Sequence, residues 1–188
     1  MALEYNSDMT AGLRMNLQEF LDWEFEQETK HEFVDGEVVA FAGATNRHNW
    51  IAAQLLAQML PKARPCRTLG SSALIQMERS ARYADVLVSC DERDASRSRT
   101  IRYPKLIVEV LSESTAAVDR SEKVDEYTAI GTLEEYVLID SRKRWAQVIR
   151  RGAGGWTFSP PVVAGMLRLA SIDFAIDLDA HYADVEFD

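Results

Sequence analysis

One carboxylate, Glu109, lies within an otherwise apolar stretch of the chain. The remaining five residues from 106 to 111 are all leucine, isoleucine or valine, a composition typical of a strand buried on both faces. An ionised carboxylate in such a strand costs on the order of several kcal/mol unless a cation or hydrogen-bond donors compensate it. The chain must therefore fold so that Glu109 has a partner, and buried charges of this kind cluster at functional sites.

A second carboxylate repeats this arrangement upstream. Asp85 opens the apolar run at residues 86–88, and two carboxylates at the same level on adjacent strands would converge on one pocket. Hard divalent cations such as Mg²⁺ or Mn²⁺ take oxygen ligands of this kind. Glu32, before a predicted hairpin turn, is a candidate third acid from a neighbouring strand. The alternative is that Asp85 and Glu109 only pair with arginines or cap loops.

Three further side chains could take part in chemistry beside these acids. Lys123 and Tyr127 are four residues apart on a predicted helix over residues 121–130, so they share one helix face. A lysine beside a metal-bound phosphate can orient water or offset charge on the phosphate oxygens. The alternative is a surface lysine and a tyrosine packed against the core. His48, in the first turn of another predicted helix, could contact phosphate or act as an acid, although a lone histidine is more often structural.

Composition favours one compact domain over residues 1–188. Of the 188 residues, 47% are hydrophobic and 27% are charged, which suffices for a proper core. The two cysteines, Cys66 and Cys90, are too few for a disulfide framework and lack the spacing of a zinc site. The N-terminal segment has no apolar signal core, and no apolar stretch approaches the roughly 20 residues that span a bilayer. These features predict a cytoplasmic protein with no membrane partner.

The charge distribution is acidic overall and basic locally. The formal net charge is −9, from 21 Lys and Arg against 30 Asp and Glu, which argues against strong non-specific binding to nucleic acid. However, five cations lie between residues 142 and 151, and another five lie between residues 93 and 105 with a single acid. Such local basic edges are compatible with DNA as a partner.

Periodicity and turn signals predict a mixed α/β domain with a mostly central sheet. Asn16 and Glu19 form a capping-box pattern at the start of a helix, and Thr45 or Asn46 caps a second helix. Asp35-Gly36 is typical of a tight hairpin turn. Strands are predicted over residues 30–34, 37–41, 73–77, 83–88, 105–111, 135–140, 145–150 and 156–158.

Several of these segments together resemble a known family. The matching runs are KHEFVDGE at 30–37, RH at 47–48, YADV at 83–86, IVEVLSEST at 107–115, EK at 122–123 with Tyr127, and GTLEEYVLID at 131–140. Over about residues 17–179, the chain resembles the Uma-type family of restriction endonuclease-like proteins, which belongs to the PD-(D/E)xK nuclease superfamily. Ala84 and Glu113 stand where this family usually has proline.

The resemblance implies a restriction endonuclease-like core, in which a mixed β-sheet is flanked by helices. It implies that Asp85 and Glu109 are metal ligands for Mg²⁺ or Mn²⁺ and that Glu32 is an additional catalytic acid. The usual lysine position of the superfamily, two residues after the second acid, is occupied here by Leu111. The resemblance therefore assigns the catalytic lysine to Lys123, on the following helix.

The function predicted on these grounds is that of a metal-dependent endonuclease that hydrolyses DNA phosphodiester bonds. Glu32, Asp85, Glu109 and Lys123 would be its catalytic residues, with second-tier positioning residues His48 and Tyr127. Cutting both strands of a duplex needs two sites, which predicts a homodimer. One alternative is a catalytically silent nuclease-fold module for binding or assembly. A further alternative is a nuclease-like toxin or mobile-element factor held silent by a partner.

Overall fold

The chain forms thirteen strands, five α-helices and two short 3-10 helices within the residues that the computed structural model describes, which are 12–41, 43–94 and 99–187. In chain order, the strands are β1 (His31–Val34), β2 (Glu37–Ala40), β3 (Arg67–Gly70), β4 (Leu74–Gln76), β5 (Ser80–Tyr83), β6 (Val86–Ser89), β7 (Thr100–Ile101), β8 (Pro104–Leu111), β9 (Glu135–Asp140), β10 (Ala146–Gly152), β11 (Gly155–Phe158), β12 (Met166–Leu169) and β13 (Phe174–Asp177). The helices are α1 (Leu17–Glu24), α2 (Asn46–Met59), α3 (Ala116–Asp119), α4 (Glu122–Thr128) and α5 (Leu178–His181).

Most of the strands belong to two sheets. The first has the order β2–β1–β5–β4–β7, and the second has the order β11–β10–β9–β8–β6–β3, while β12 and β13 form a separate pair. In the second sheet β8 and β9 run parallel, and the connection between them contains α3 and α4. The predicted fold class is confirmed, since mixed sheets are flanked by helices. No helix in the described part of the chain is both long enough and apolar enough to cross a membrane.

The first two helices begin where the sequence predicts. The side chain of Asn16 accepts a hydrogen bond from the amide of Glu19, whose carboxylate accepts one from the amide of Asn16, which is a capping box. The hydroxyl of Thr45 accepts a hydrogen bond from the amide of His48 at the start of α2. This second cap fixes His48 in the first turn of α2.

The side chains of β8 alternate between two cores. Val108 and Val110 join the core that packs against α2, whereas Ile107 and Leu111 join the core that packs against α4. Glu109 has the same parity as Leu111, so its carboxylate is directed to the α4 side of the sheet. A carboxylate is thereby buried against a helix that carries hydrogen-bond donors.

The single strand predicted over residues 83–88 is wrong, because the chain changes sheets within it. β5 ends at Tyr83 in the first sheet, and β6 begins at Val86 in the second. Glu32 accepts the amide N–H of Tyr83, and Asp85 accepts that of Val110. Side-chain carboxylates therefore satisfy backbone donors at the place where the chain passes from one sheet to the other.

The two cysteines are joined in a disulfide bond that the sequence analysis did not predict. Cys66 immediately precedes β3, and Cys90 immediately follows β6. Arg67 and Ser89, the neighbours of these cysteines, are opposite each other in the β3–β6 ladder. The register of this antiparallel pair brings the two sulfur atoms together.

Candidate active site

A cavity of about 180 Å³ lies between the two sheets, beside the crossing segment and the α3–α4 connection. Five of the six residues predicted to take part in chemistry line it, namely Glu32, His48, Asp85, Glu109 and Lys123. The sixth, Tyr127, does not line the cavity, because it is fully buried in the core beneath it. Tyr127 still reaches the site through a hydrogen bond to Glu109.

Asp85 and Glu109 lie opposite each other on neighbouring segments. In the antiparallel β6–β8 ladder Val86 pairs with Val108, so the next pair in the same register is Asp85 with Glu109. The negative charge of Asp85 contributes to raising the pKa of Glu109, which agrees with the proximity of the two carboxylates. The structure thus places the two acids at one level of the sheet.

Two contacts hold a single oxygen of Asp85. Its Oδ2 accepts the amide N–H of Val110 at 2.7 Å and lies 3.2 Å from Nε2 of His48. Neither contact involves an arginine, and Oδ1 has no hydrogen-bond donor among the described residues. Asp85 is therefore oriented by its surroundings while one of its oxygens stays available.

Glu109, like Asp85, is held through only one of its two carboxylate oxygens. Its Oε1 accepts hydrogen bonds from Nζ of Lys123 and from the hydroxyl of Tyr127, each at 3.0 Å. No donor in the described ranges reaches Oε2. Burial raises the pKa of Glu109 well above its usual value, and the nearby Lys123 ammonium only partly opposes this effect.

Lys123 is buried, so its interpretation as an ordinary surface lysine is wrong. Its Nζ lies 3.0 Å from Glu109 Oε1, 3.0 Å from Asp119 Oδ1 and 4.0 Å from Glu32 Oε1. The contact with Asp119 is a charge contact without hydrogen-bond geometry. Burial disfavours the ammonium, but these three carboxylates outweigh it, and the pKa of Lys123 is raised.

Asp119 is a site residue that the sequence analysis missed. Only 1% of it is exposed, and it lines the cavity at the end of α3, four residues before Lys123 of α4. The hydroxyl of Tyr136 donates to the Asp119 carbonyl at 2.9 Å and fixes the end of α3. The signal was available in the sequence, since Asp119 precedes Lys123 by four residues, the spacing of helical ion pairs.

Glu32 is the third predicted acid, and each of its two oxygens accepts one hydrogen bond. Oε2 accepts a hydrogen bond from Arg82 at 3.0 Å, and Oε1 accepts the amide N–H of Tyr83 at 3.0 Å. Arg82 is itself buried and makes a two-pronged contact with Glu126 at 2.9 and 2.7 Å. Arg82 was also missed, and together with the Tyr83 amide it orients Glu32 at the wall of the cavity.

His48 supports Asp85 from α2. Burial opposes protonation of its imidazole, but the Asp85 carboxylate outweighs burial and raises the pKa of His48. Its second ring nitrogen, Nδ1, has no hydrogen-bond partner in the part of the chain that the structure describes. The contact fixes the orientation of Asp85.

The chemistry of the donors fits a hard divalent cation. Within the described residues, no group of three His, Cys, Asp or Glu side chains is arranged to hold a metal ion. Asp85 and Glu109 nevertheless each have one carboxylate oxygen without a donor, beside the same cavity. Mg²⁺ is commonly held by one or two carboxylates, with waters and substrate phosphate as its other ligands. A two-carboxylate site is sufficient for such an ion.

Comparisons with known proteins agree with one another. The sequence matches the Uma2 family, described as "Putative restriction endonuclease", over residues 17–177. It is 31% identical over 179 residues to the uncharacterized protein slr1290 of Synechocystis sp., covering 93% of this chain and 94% of the relative. The uncharacterized protein sll1609 of the same organism is 35% identical over 130 residues, covering 65% of this chain and 72% of the relative.

A solved structure has the same fold. The crystal structure of a "putative nuclease belonging to DUF820" from Anabaena variabilis matches with a TM-score of 0.73, over 92% of this chain and 99% of that chain. The two sequences are 15% identical, so the similarity concerns the fold.

Proposed function

Since the chain belongs to the Uma2 family, we propose that it is a divalent-metal-dependent endonuclease that hydrolyses DNA phosphodiester bonds at the cavity between its sheets. The observation that carries this proposal is the Asp85–Glu109 pair. The two carboxylates share one level of the sheet, line one cavity and each keep one oxygen without a donor. The description of the family as "Putative restriction endonuclease" supports the same reaction.

Asp85 and Glu109 would hold Mg²⁺ or Mn²⁺, which when bound polarises a phosphate and lowers the pKa of a water molecule. His48 and the Val110 amide keep Asp85 oriented. Tyr127 fixes Glu109 from the core. These contacts pre-organise both carboxylates, so that little rearrangement is needed when substrate arrives.

Lys123 supplies positive charge beside the reacting phosphate. Its ammonium lies 3.0 Å from a carboxylate oxygen of Glu109 and 3.0 Å from one of Asp119. From this position it offsets the negative charge that builds on the phosphate oxygens in the transition state. Glu32 acts indirectly, because it anchors Arg82 and the end of β5 at the cavity wall.

Double-strand cleavage at this site would use two copies of the chain, one for each strand. The chain has a single Asp85–Glu109 pair, and the two strands of a duplex run in opposite directions. A homodimer with two-fold symmetry matches that geometry.

A second candidate function is a catalytically silent binding module. The observation that favours it is the charge compensation of Lys123, whose ammonium lies 3.0 Å from a carboxylate oxygen of both Glu109 and Asp119. A structural ion-pair network would have the same contacts. The two functions differ in whether removing one acid abolishes a metal-dependent reaction.

The test is cleavage of supercoiled plasmid DNA with Mn²⁺ or Mg²⁺. We expect the wild-type protein to nick or linearise the plasmid, and EDTA, Asp85→Asn or Glu109→Gln to abolish this activity. Asp125→Asn is the matched control, because Asp125 is exposed on α4, and it should cut like the wild type. Equal cleavage by Asp85→Asn and wild type would refute the assignment, and no cleavage by the wild type would favour the silent module.

A further inference from the structure

The turn between β9 and β10 lies at the cavity end of the second sheet. β9 ends at Asp140, which pairs with Leu111 of β8, two residues beyond Glu109. Ser141 donates both its amide N–H and its hydroxyl to the Leu111 carbonyl, at 3.0 and 2.7 Å. The turn at residues 141–144 is therefore fixed next to the strand end that carries the site.

A buried carboxylate holds two arginines at this turn. Asp140 is 0% exposed, and it accepts hydrogen bonds from the amide, Nε and Nη2 of Arg142 at 2.9, 3.1 and 3.1 Å. Nη2 of Arg120, at the end of α3, lies 3.8 Å from the same carboxylate. The Arg120 guanidinium also lies 4.3 Å from the ring centre of Trp145. Both guanidinium groups are thus held in place before any ligand arrives.

These arginines and the adjacent Lys143 form a positive surface, which we name the basic rim. The side chains of Arg120 and Arg142 are 41% and 46% exposed, whereas the acid that orients them is inaccessible. Lys143 is exposed and has no ion-pair or hydrogen-bond partner among the described residues. Glu113 is an exposed acid close enough to act on Arg142, and the three cations of the rim still leave a net positive charge after both Glu113 and the buried Asp140 are counted.

The chemistry of the basic rim suits phosphodiester oxygens. A guanidinium offers a planar fork of donors that matches phosphate, and an arginine already ordered by a buried carboxylate loses little side-chain entropy on binding. Local cations are also necessary for a chain of net charge −9 to approach a polyanion.

A second basic group lies at the other end of β8 and serves as a comparison. Lys105 is four residues before Glu109, a separation of about 13 Å along a strand. Arg93 and Arg102 line a different cavity near that end. Proximity to the site therefore distinguishes the basic rim from this second group.

We propose that the basic rim, made of Arg120, Arg142 and Lys143, binds the phosphate backbone of duplex DNA beside the cavity. This inference rests on the proposed function for its choice of DNA. The rim positions the duplex through sequence-independent phosphate contacts, which fix orientation and contribute salt-dependent affinity. A purely structural turn would need only the Asp140–Arg142 contacts, and it would not need an exposed Arg120 and Lys143.

The test measures binding of a fluorescein-labelled 20-base-pair duplex by anisotropy, in EDTA, over a series of salt concentrations. The variant is Arg120→Gln/Lys143→Gln, which leaves the Asp140–Arg142 hydrogen bonds intact. The control is Arg93→Gln/Arg102→Gln, which also removes two positive charges, but near the far end of β8. Thermal unfolding of each protein checks that it is folded.

We expect the rim variant to bind about tenfold more weakly at low salt, and its log–log salt dependence to be shallower by about 2. The control should bind like the wild type. Equal losses in the two double variants would overturn the inference, as would absence of binding by the wild type. Rim-dependent binding by a protein that never cleaves DNA would instead refute the proposed function and leave the binding surface standing.

Discussion

Replacing Lys123 by methionine removes the only cation that contacts the Glu109 carboxylate among the described residues. Glu109 and Asp119 are 3% and 1% exposed, and each lies 3.0 Å from the Lys123 ammonium. Methionine has similar length and no charge, so the variant leaves two buried carboxylates uncompensated. Breaking a buried ion pair in this way costs about 3–5 kcal/mol.

The expected loss depends on pH in a defined direction. The pKa of Glu109 is already raised by burial, and removing the ammonium raises it further. A carboxyl group with a raised folded-state pKa is most favourable to folding below its unfolded value, and this contribution is lost as pH rises through the folded value. Lys123→Met should therefore be more destabilising at pH 8 than at pH 5.

The assay is urea unfolding in EDTA at both pH values, with thermal unfolding alongside. For a chain of this size the predicted loss corresponds to a melting temperature about 10 °C lower at pH 8. Lys143→Met is the matched control, because Lys143 is exposed, and it should change stability by less than about 0.5 kcal/mol. A Lys123→Met protein whose unfolding free energy at pH 8 lies within about 0.5 kcal/mol of the wild-type value, the usual range for a surface substitution, would show that Lys123 does not compensate the two carboxylates.

Two further outcomes follow from buried groups. Tyr127→Phe removes one of the two donors to Glu109 and should lower the unfolding free energy by about 1.5–3 kcal/mol in urea titrations, whereas an unchanged value would mean that the hydrogen bond is absent. Burial lowers the pKa of His181 from 6.5 to about 4, so the neutral ring favours folding above pH 6.5 and this contribution is lost as pH falls towards 4. When the pH falls from 6.5 to 4, the unfolding free energy of wild type should therefore drop by about 3 kcal/mol more than that of His181→Gln. Parallel plots of unfolding free energy against pH for the two proteins would contradict the lowered pKa of His181.

The sequence was sufficient to predict the elements with strong local signals. A carboxylate in an apolar run identified Glu109 as a residue that needs a partner. Capping residues predicted the starts of α1 and α2. The family resemblance assigned the catalytic lysine to the helix after β8. The four-residue spacing of Lys123 and Tyr127 on that helix is compatible with this assignment.

The remaining features depend on contacts between segments distant in the sequence. No local pattern shows that β5 and β6 belong to different sheets, because the residues on both sides of Asp85, at 83–84 and 86–88, are strand-like. Arg82 is an ordinary strand residue until its partners Glu32 and Glu126 are known, 50 and 44 residues away. Short strands such as β7, with two residues, carry too little periodicity to be recognised.

The most direct test of the central claim is a Mn²⁺ soak of crystals of the wild-type protein, with anomalous diffraction recorded above the manganese absorption edge. We expect one strong anomalous peak in the cavity, at bonding distance from a carboxylate oxygen of both Asp85 and Glu109. Crystals of Asp85→Asn, soaked in the same way, should lack this peak. If the wild-type cavity holds no manganese at either carboxylate, at the Mn²⁺ concentration used in the plasmid assay, Asp85 and Glu109 are not a metal site.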